Sequence, residues 1–117
     1  MEDKTLRMAM LLDFYGELLT DKQRSCFDMY YNENLSLSEI AEIEGITRQG
    51  VRDMLLRSET ALEDAEEKLG ILKREKMRGE AWAKAVKALE ALVAMTQGEA
   101  AEKAAEALDL VRRMEEN

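Results

Sequence analysis

The residues best equipped for recognition chemistry in this 117-residue chain are Thr47, Arg48, Gln49 and Arg52. Arg48 and Arg52 are four apart, so on a helix they share one face and both can reach into a groove. Gln49 can make a bidentate contact to adenine, and Thr47 a contact to phosphate. The same residues suit a protein interface, because arginine joins charge, planarity and a long apolar stem. A second candidate is the basic cluster Lys73, Arg74, Lys76 and Arg78, continued by Lys84 and Lys87. It fits the backbone of structured RNA, although a solvated helix surface is its ordinary reading. Catalytic chemistry has little to draw on. There is no histidine, the commonest general base and metal ligand. Gly45 and Gly50 lack the lysine pattern of a phosphate loop. Glu63, Asp64, Glu66 and Glu67 fall in a helical pattern without the loop of a calcium site, and read as a charged surface. No enzymatic activity, metal or cofactor is expected.

The elements that must position these residues begin with Ser36–Arg57, SLSEIAEIEGITRQGVRDMLLR. Ser36 and Glu39 form a capping box for one helix, on which Ile40, Ala41 and Ile43 are expected to face inward. Gly45 suits the left-handed exit from that helix, Ile46 plugs the turn, and Thr47 caps the next helix. Small Ala41, then Gly45, then apolar Val51 and Met54 is the spacing of a helix-turn-helix. Upstream, Lys4–Leu19 predicts a helix whose core stripe is Leu6, Met10, Phe14 and Leu18, widened by Leu11 and Tyr15. Thr20-Asp21-Lys22-Gln23 is a second capping box, opening a helix expected to bury Cys26, Phe27 and Tyr30. Downstream, Val51, Leu55, Ser58, Leu62, Ala65, Leu69 and Leu72 alternate four and three apart as a heptad seam. That seam either folds back on the first helix or pairs with another chain. Gly79 is the expected joint before a tail. There Trp82, Val86, Leu89 and Val93 stripe one helix, and Ala101, Ala105, Leu108, Val111 and Met114 the next, with Gly98 between them. The two predict an antiparallel hairpin. Its thin apolar stripes have little to bury against alone, which points to self-association or a partner protein.

Composition narrows the class. The chain has no proline, six glycines and 5% aromatic residues, so an all-α protein with a mostly aliphatic core is expected, Met8, Met10, Met29 and Met54 serving as filler. A net charge of −8 argues against binding nucleic acid by bulk electrostatics, so any such contact needs a local patch. The motif itself is not basic, with three arginines against four acids from Ser36 to Arg57. The lone Cys26 cannot form an internal disulfide and is expected as a buried thiol, in keeping with a reducing cytoplasm. MEDKTLR leads into an amphipathic pattern with no sign of a signal peptide. No apolar run approaches the roughly 20 residues of a membrane span.

With these residues in place, the run LLTDKQRSCFDMYYNENLSLSEIAEIEGITRQGVRDMLLRSE resembles region 4 of bacterial sigma factors. The chain is more similar still to the YlxM family of small bacterial proteins associated with the signal recognition particle. That similarity starts at LLDFYGELLTDKQR and runs to LEDAEEKLGIL, covering roughly the first 72 residues. It implies a helix-turn-helix bundle over residues 1–72, with the motif at 36–57; the helical C-terminal extension over 73–117 lies outside the resemblance and is expected from its own apolar stripes. It implies a non-enzymatic accessory or regulatory role in the signal recognition particle pathway, through binding of the particle's protein or RNA. By position, Thr47, Arg48, Gln49 and Arg52 would open the recognition helix. The rival expectation is a transcription regulator that docks Arg48 and Arg52 in a DNA major groove. Against the rival stand Gly50, which removes a side chain from the contact face, and Asp53, which puts a negative charge beside it. A cytoplasmic homodimer is expected under the first reading.

Overall fold

In a computed structural model, residues 3–115 are described, and they form six α-helices with no strand among them. The chain divides into two compact units, Met1–Leu72 and Lys73–Asn117. The first holds α1 (Lys4–Tyr15), α2 (Asp21–Tyr31), α3 (Leu37–Glu44) and α4 (Arg48–Leu69). The helix α5 (Ile71–Met95) begins in it and continues through the second unit, which α6 (Glu99–Glu115) completes. The fold is all-α. No described helix is long and apolar enough to cross a membrane.

Local sequence explains where the helices start. Asp3 caps α1 by accepting from the Thr5 N–H. Both Thr20/Gln23 and Ser36/Glu39 form complete capping boxes, with side chain and backbone bonded in each direction. Two boxes satisfy amide groups that the helix itself leaves unpaired. A single 3-10 turn, Gly16–Leu18, breaks α1 from α2.

The core of the first unit is closed by Phe27, Leu11, Ile40, Leu62, Val51 and Cys26, all sealed from solvent. Met8 and Met29 are buried with them, and Met10 and Met54 pack against them in part. Several expected core positions fall elsewhere. Leu6, Phe14 and Leu18 are exposed, while Met8, Leu11, Leu12, Tyr15 and Leu19 carry the buried stripe. A row with strict four-residue spacing drifts about 40° per step around a helix of 3.6 residues per turn, so it winds off the contact face. Tyr30 is partly exposed; Tyr31 is buried instead, its ring 4.7 Å from that of Phe27. Ile43 is exposed as well, because an eight-residue helix such as α3 offers the core little more than Ile40.

The heptad seam of α4 folds back within the first unit. Val51, Leu55, Ser58 and Leu62 are buried, and Ser58 returns its hydroxyl hydrogen to the Met54 carbonyl at 2.9 Å. Leu69 is exposed, since the helix stops there and Gly70 turns left-handed with φ 62°. Gly79, by contrast, lies inside an unbroken α5, so the joint sits at Gly70 and not at Gly79. Glu66 is no surface acid either. Its carboxylate accepts from the Tyr15 hydroxyl at 2.7 Å and from the Leu72 N–H at 3.0 Å, and the Tyr15 oxygen accepts from the Ile71 N–H at 3.1 Å. A buried Tyr–Glu pair thus caps the first turn of α5, doing for that helix what serines and threonines do for the others. Beside it, Arg7 holds Glu63 through two bonds of 2.8 Å.

In the second unit, α5 and α6 run antiparallel. The Trp82 indole N–H donates to the Val111 carbonyl at 2.9 Å, Arg112 pairs with Glu90 at 2.9 Å, and Arg78 pairs with Glu115 at 3.4 Å. Left-handed Gly98, φ 67°, makes the turn. Ala104 and Leu108 are the buried positions described on α6; Ala105 and Met114 of the expected stripe are exposed.

Candidate partner-binding face

The geometry of the motif follows from its turn. Gly45 leaves α3 at φ 68°, a conformation costly for residues with a Cβ, and its N–H bonds the Ala41 carbonyl. Thr47 then caps α4, its hydroxyl accepting from the Gly50 N–H at 2.9 Å. A Cβ on residue 50 would sit 3.1 Å from that same hydroxyl oxygen. The missing side chain at Gly50 therefore keeps the cap tight, and Thr47 spends an oxygen lone pair on the fold.

Arg48, Gln49 and Arg52 project from the first turns of α4 and are exposed. With Leu37 they line one shallow groove. Arg48 and Arg52 make no ion pair among the described residues. Gln49 is less available than its position suggests, since its amide donates to the Asp53 carboxylate at 2.9 Å. Asp53 thus tempers the face twice: it adds negative charge and it ties down the side chain best suited to reading adenine.

The nearby acids are largely committed to structure. Glu39 closes its capping box, and the bonds from the backbone and side chain of Ser36 hold its carboxyl below the usual carboxylate range. Glu44 accepts from the Ser25 hydroxyl at 3.3 Å. Arg48 and Arg52 therefore stand exposed on a motif whose overall balance is slightly acidic.

A second groove shares Leu37 and Arg52 with the first and extends it across Tyr30, Leu55 and Leu56 to Lys4 and Glu59. Tyr31 lies at its base and donates to Glu59, which Lys4 also meets at 3.5 Å. Burial, then the bond to Glu59, push the Tyr31 hydroxyl well above the usual tyrosine range. Sequence reasoning missed the contribution of Tyr30, Leu37 and Leu56 to this face. Periodicity assigned Tyr30 to the core, and no motif marks a hydrophobe that a neighbouring helix happens to leave uncovered. On the far side of Asp53, Lys22 and Arg57 line a separate groove with Thr20 and Met54.

The second candidate cluster lies on one helix. Lys73, Arg74, Lys76 and Arg78 are all exposed on the early turns of α5. Arg78, however, bonds Glu75 and reaches Glu115, and these contacts raise its affinity for a proton while lowering that of Glu75. Of the four, Arg78 thus has its charge engaged by carboxylates on both helices of the hairpin. Among the described residues, no group of three or more His, Cys, Asp or Glu side chains is placed to hold a metal ion.

Comparison with known proteins agrees with the motif. The model of the UPF0122 family, described as YlxM / p13 like and helix-turn-helix, matches residues 2–104. A UPF0122 protein of Thermoanaerobacter sp. (strain X514) is 58% identical over 74 residues, 63% of each chain. The aligned part thus spans less than two thirds of that relative's length. Another from Halalkalibacterium halodurans is 50% identical over 80 residues, 68% of this chain and 73% of the relative. One from Oceanobacillus iheyensis is 47% identical over 96 residues, 82% of this chain and 85% of the relative. A helix-turn-helix with this sequence and this much shared identity places the chain in the UPF0122 family of YlxM/p13-like proteins.

Proposed function

We propose that the protein is a non-enzymatic accessory factor of the bacterial signal recognition particle pathway. It works in the cytoplasm as a homodimer and binds the particle's protein or RNA through the face around Arg52. The pathway comes from the likeness to the YlxM family. The face itself supplies the observation that carries the binding mode. Arg52 stands between a groove lined by Leu37, Arg48 and Gln49 and a second one in which Tyr30, Leu55 and Leu56 stand beside Lys4 and Glu59. Arginine beside tyrosine and aliphatic surface is the composition of a protein interface. A duplex reader of this size draws on a denser basic patch.

Retention of the protein on reconstituted particle, with and without its RNA, tests the reading. Binding should survive removal of the RNA if protein is the partner, and should fall on Arg52→Ala. No retention at micromolar concentrations overturns it. The DNA reading keeps one specific support: Arg48 and Arg52 sit one turn apart at the start of α4 without ion pairs among the described residues. Selection from random duplexes should enrich one motif under that reading and lose it in Arg52→Ala; an unenriched pool removes it.

A further inference from the structure

Each helix of the second unit carries two apolar seams, and the fold uses one of them. On α5 the half-buried row is Trp82, Val86, Leu89 and Val93. One residue ahead of it runs a second row, Ala81, Ala85, Ala88, Leu92 and Met95, spaced four and three apart and exposed throughout. On α6 the inward row is Ala101, Ala104, Leu108 and Val111, and again one residue ahead lie Ala100, Lys103, Ala107, Leu110 and Met114. Leu92, Met95, Leu110 and Met114 are 45%, 81%, 55% and 64% exposed. Alternation of four and three over three turns is a heptad seam. Because α5 and α6 are antiparallel, the same one-residue offset turns both second seams to the same side of the hairpin. The result is one two-helix apolar face.

We propose that this face seats a second copy of the chain, with α5 of each copy lying along α6 of the other in an antiparallel four-helix bundle. The proposal rests on the homodimer reading above and deepens it by assigning the surface. Three features select this occupant. First, the face is complementary to itself. The Trp82–Val111 and Arg78–Glu115 contacts set the register of the hairpin. They put bulky Leu110 and Met114 of α6 level with small Ala81 and Ala85 of α5, and bulky Leu92 and Met95 of α5 level with small Ala100 of α6. A two-fold axis parallel to the helices keeps those levels and lays each bulky end over the small end of the opposing helix, as close packing needs. Second, the charges match. The helix α5 has six bases against three acids, and α6 has three bases against five acids, net +3 and −2. The same axis sets exposed Lys84, flanking the seam of α5, beside Glu106, flanking that of α6, in the opposite copy. Such flanking pairs choose partner and orientation in helical bundles. Third, Lys103 is the one charged residue of the second seam. A long stem lets its ammonium reach the rim, where it already meets Glu106 at 3.6 Å.

Sedimentation or light scattering on the full chain tests this. The unsubstituted protein should have the mass of a dimer at micromolar concentrations. Leu110→Glu and Ala88→Glu should each weaken dimerisation on the order of tenfold or more, with the helical circular dichroism of the chain retained, since both positions are already exposed in the monomer. Lys84→Glu should weaken it less, and the paired Lys84→Glu/Glu106→Lys should restore it. In the unsubstituted protein, a zero-length carbodiimide reagent should join Lys84 to Glu106 between isotopically distinct copies. A monomeric mass overturns the dimer reading and this surface together. A dimer that survives Leu110→Glu and Ala88→Glu, and yields no such cross-link, leaves dimerisation standing and overturns this surface.

Discussion

The two units of the chain solve the same problem, how to hold helices together, with different resources. In Met1–Leu72, four helices and the start of a fifth enclose a core in which six large apolar side chains, Phe27 and Leu11 among them, reach zero or near-zero exposure. Its buried polar groups are bonded in pairs and chains, as at Tyr15–Glu66 and Ser58–Met54. In Lys73–Asn117 two helices share one line of contact, where Ala104 and Leu108 are the buried positions described, Trp82, Val86, Leu89 and Val93 are half-buried, and contacts such as Trp82–Val111 and Arg112–Glu90 add to it. Two helices give each other one interface, whereas four give every helix at least two. The difference teaches that one seam of contact shapes the second unit, while interdigitation on several faces of each helix specifies the first.

The contrast can be broken most forcefully at Phe27. Phe27→Ala should cost about 3–5 kcal/mol and melt the first unit, because it opens a cavity in the tightest part of the molecule. Leu108→Ala, in a contact line open on both sides, should cost less than half of that in the same urea titration. Equal costs would erase the distinction. A smaller effect is expected at the polar cap of α5. Tyr15→Phe removes the hydroxyl that bridges Glu66 and the Ile71 N–H, and should lower stability by about 1–3 kcal/mol, as for a buried group left without its partner. Amide exchange at Ile71 and Leu72 should quicken in parallel.

Glycines sharpen the comparison within the second unit. Gly98→Ala forces a Cβ onto φ 67° and should lower the melting temperature. Gly79→Ala should raise it, stabilising the chain by about 0.5–1 kcal/mol, since Gly79 is helical and nothing lies within 4 Å of the added carbon. If Gly79 were a joint, its substitution would be neutral or harmful. The smallest effect is the acid response of the capping box. Glu39 titrates below its ordinary value because Ser36 bonds its carboxylate. Its contribution is therefore present above the unfolded carboxylate range and lost as pH falls through the lower, folded value. Acid unfolding of Glu39→Gln should be correspondingly less steep than that of the unsubstituted chain.

Much of this was readable in advance, for a definable reason. Caps and turns are local: Thr20/Gln23, Ser36/Glu39, Gly45, Thr47 and Gly98 act within four residues of themselves, so their types announce them. The helix-turn-helix and the placement of Arg48, Gln49 and Arg52 on the opening turns of α4 follow from those stops and starts. The faces did not follow. Leu6, Phe14 and Leu18 look like core on spacing alone, yet Met8, Leu12 and Leu19 are the ones that meet other helices. The link of Gln49 to Asp53 was only half legible, as a nearby charge and not as a bond.

What the order of residues determined by itself is the set of helices, their ends and the motif they make, because these depend on propensity and on hydrogen bonds between near neighbours. What only the tertiary structure decided is which face of each helix is covered. Glu66 became a buried cap where a surface acid was expected, and Tyr30 came out to stand beside Arg52. Burial is a property of two surfaces meeting, and one strand of sequence carries the shape of only one of them at a time.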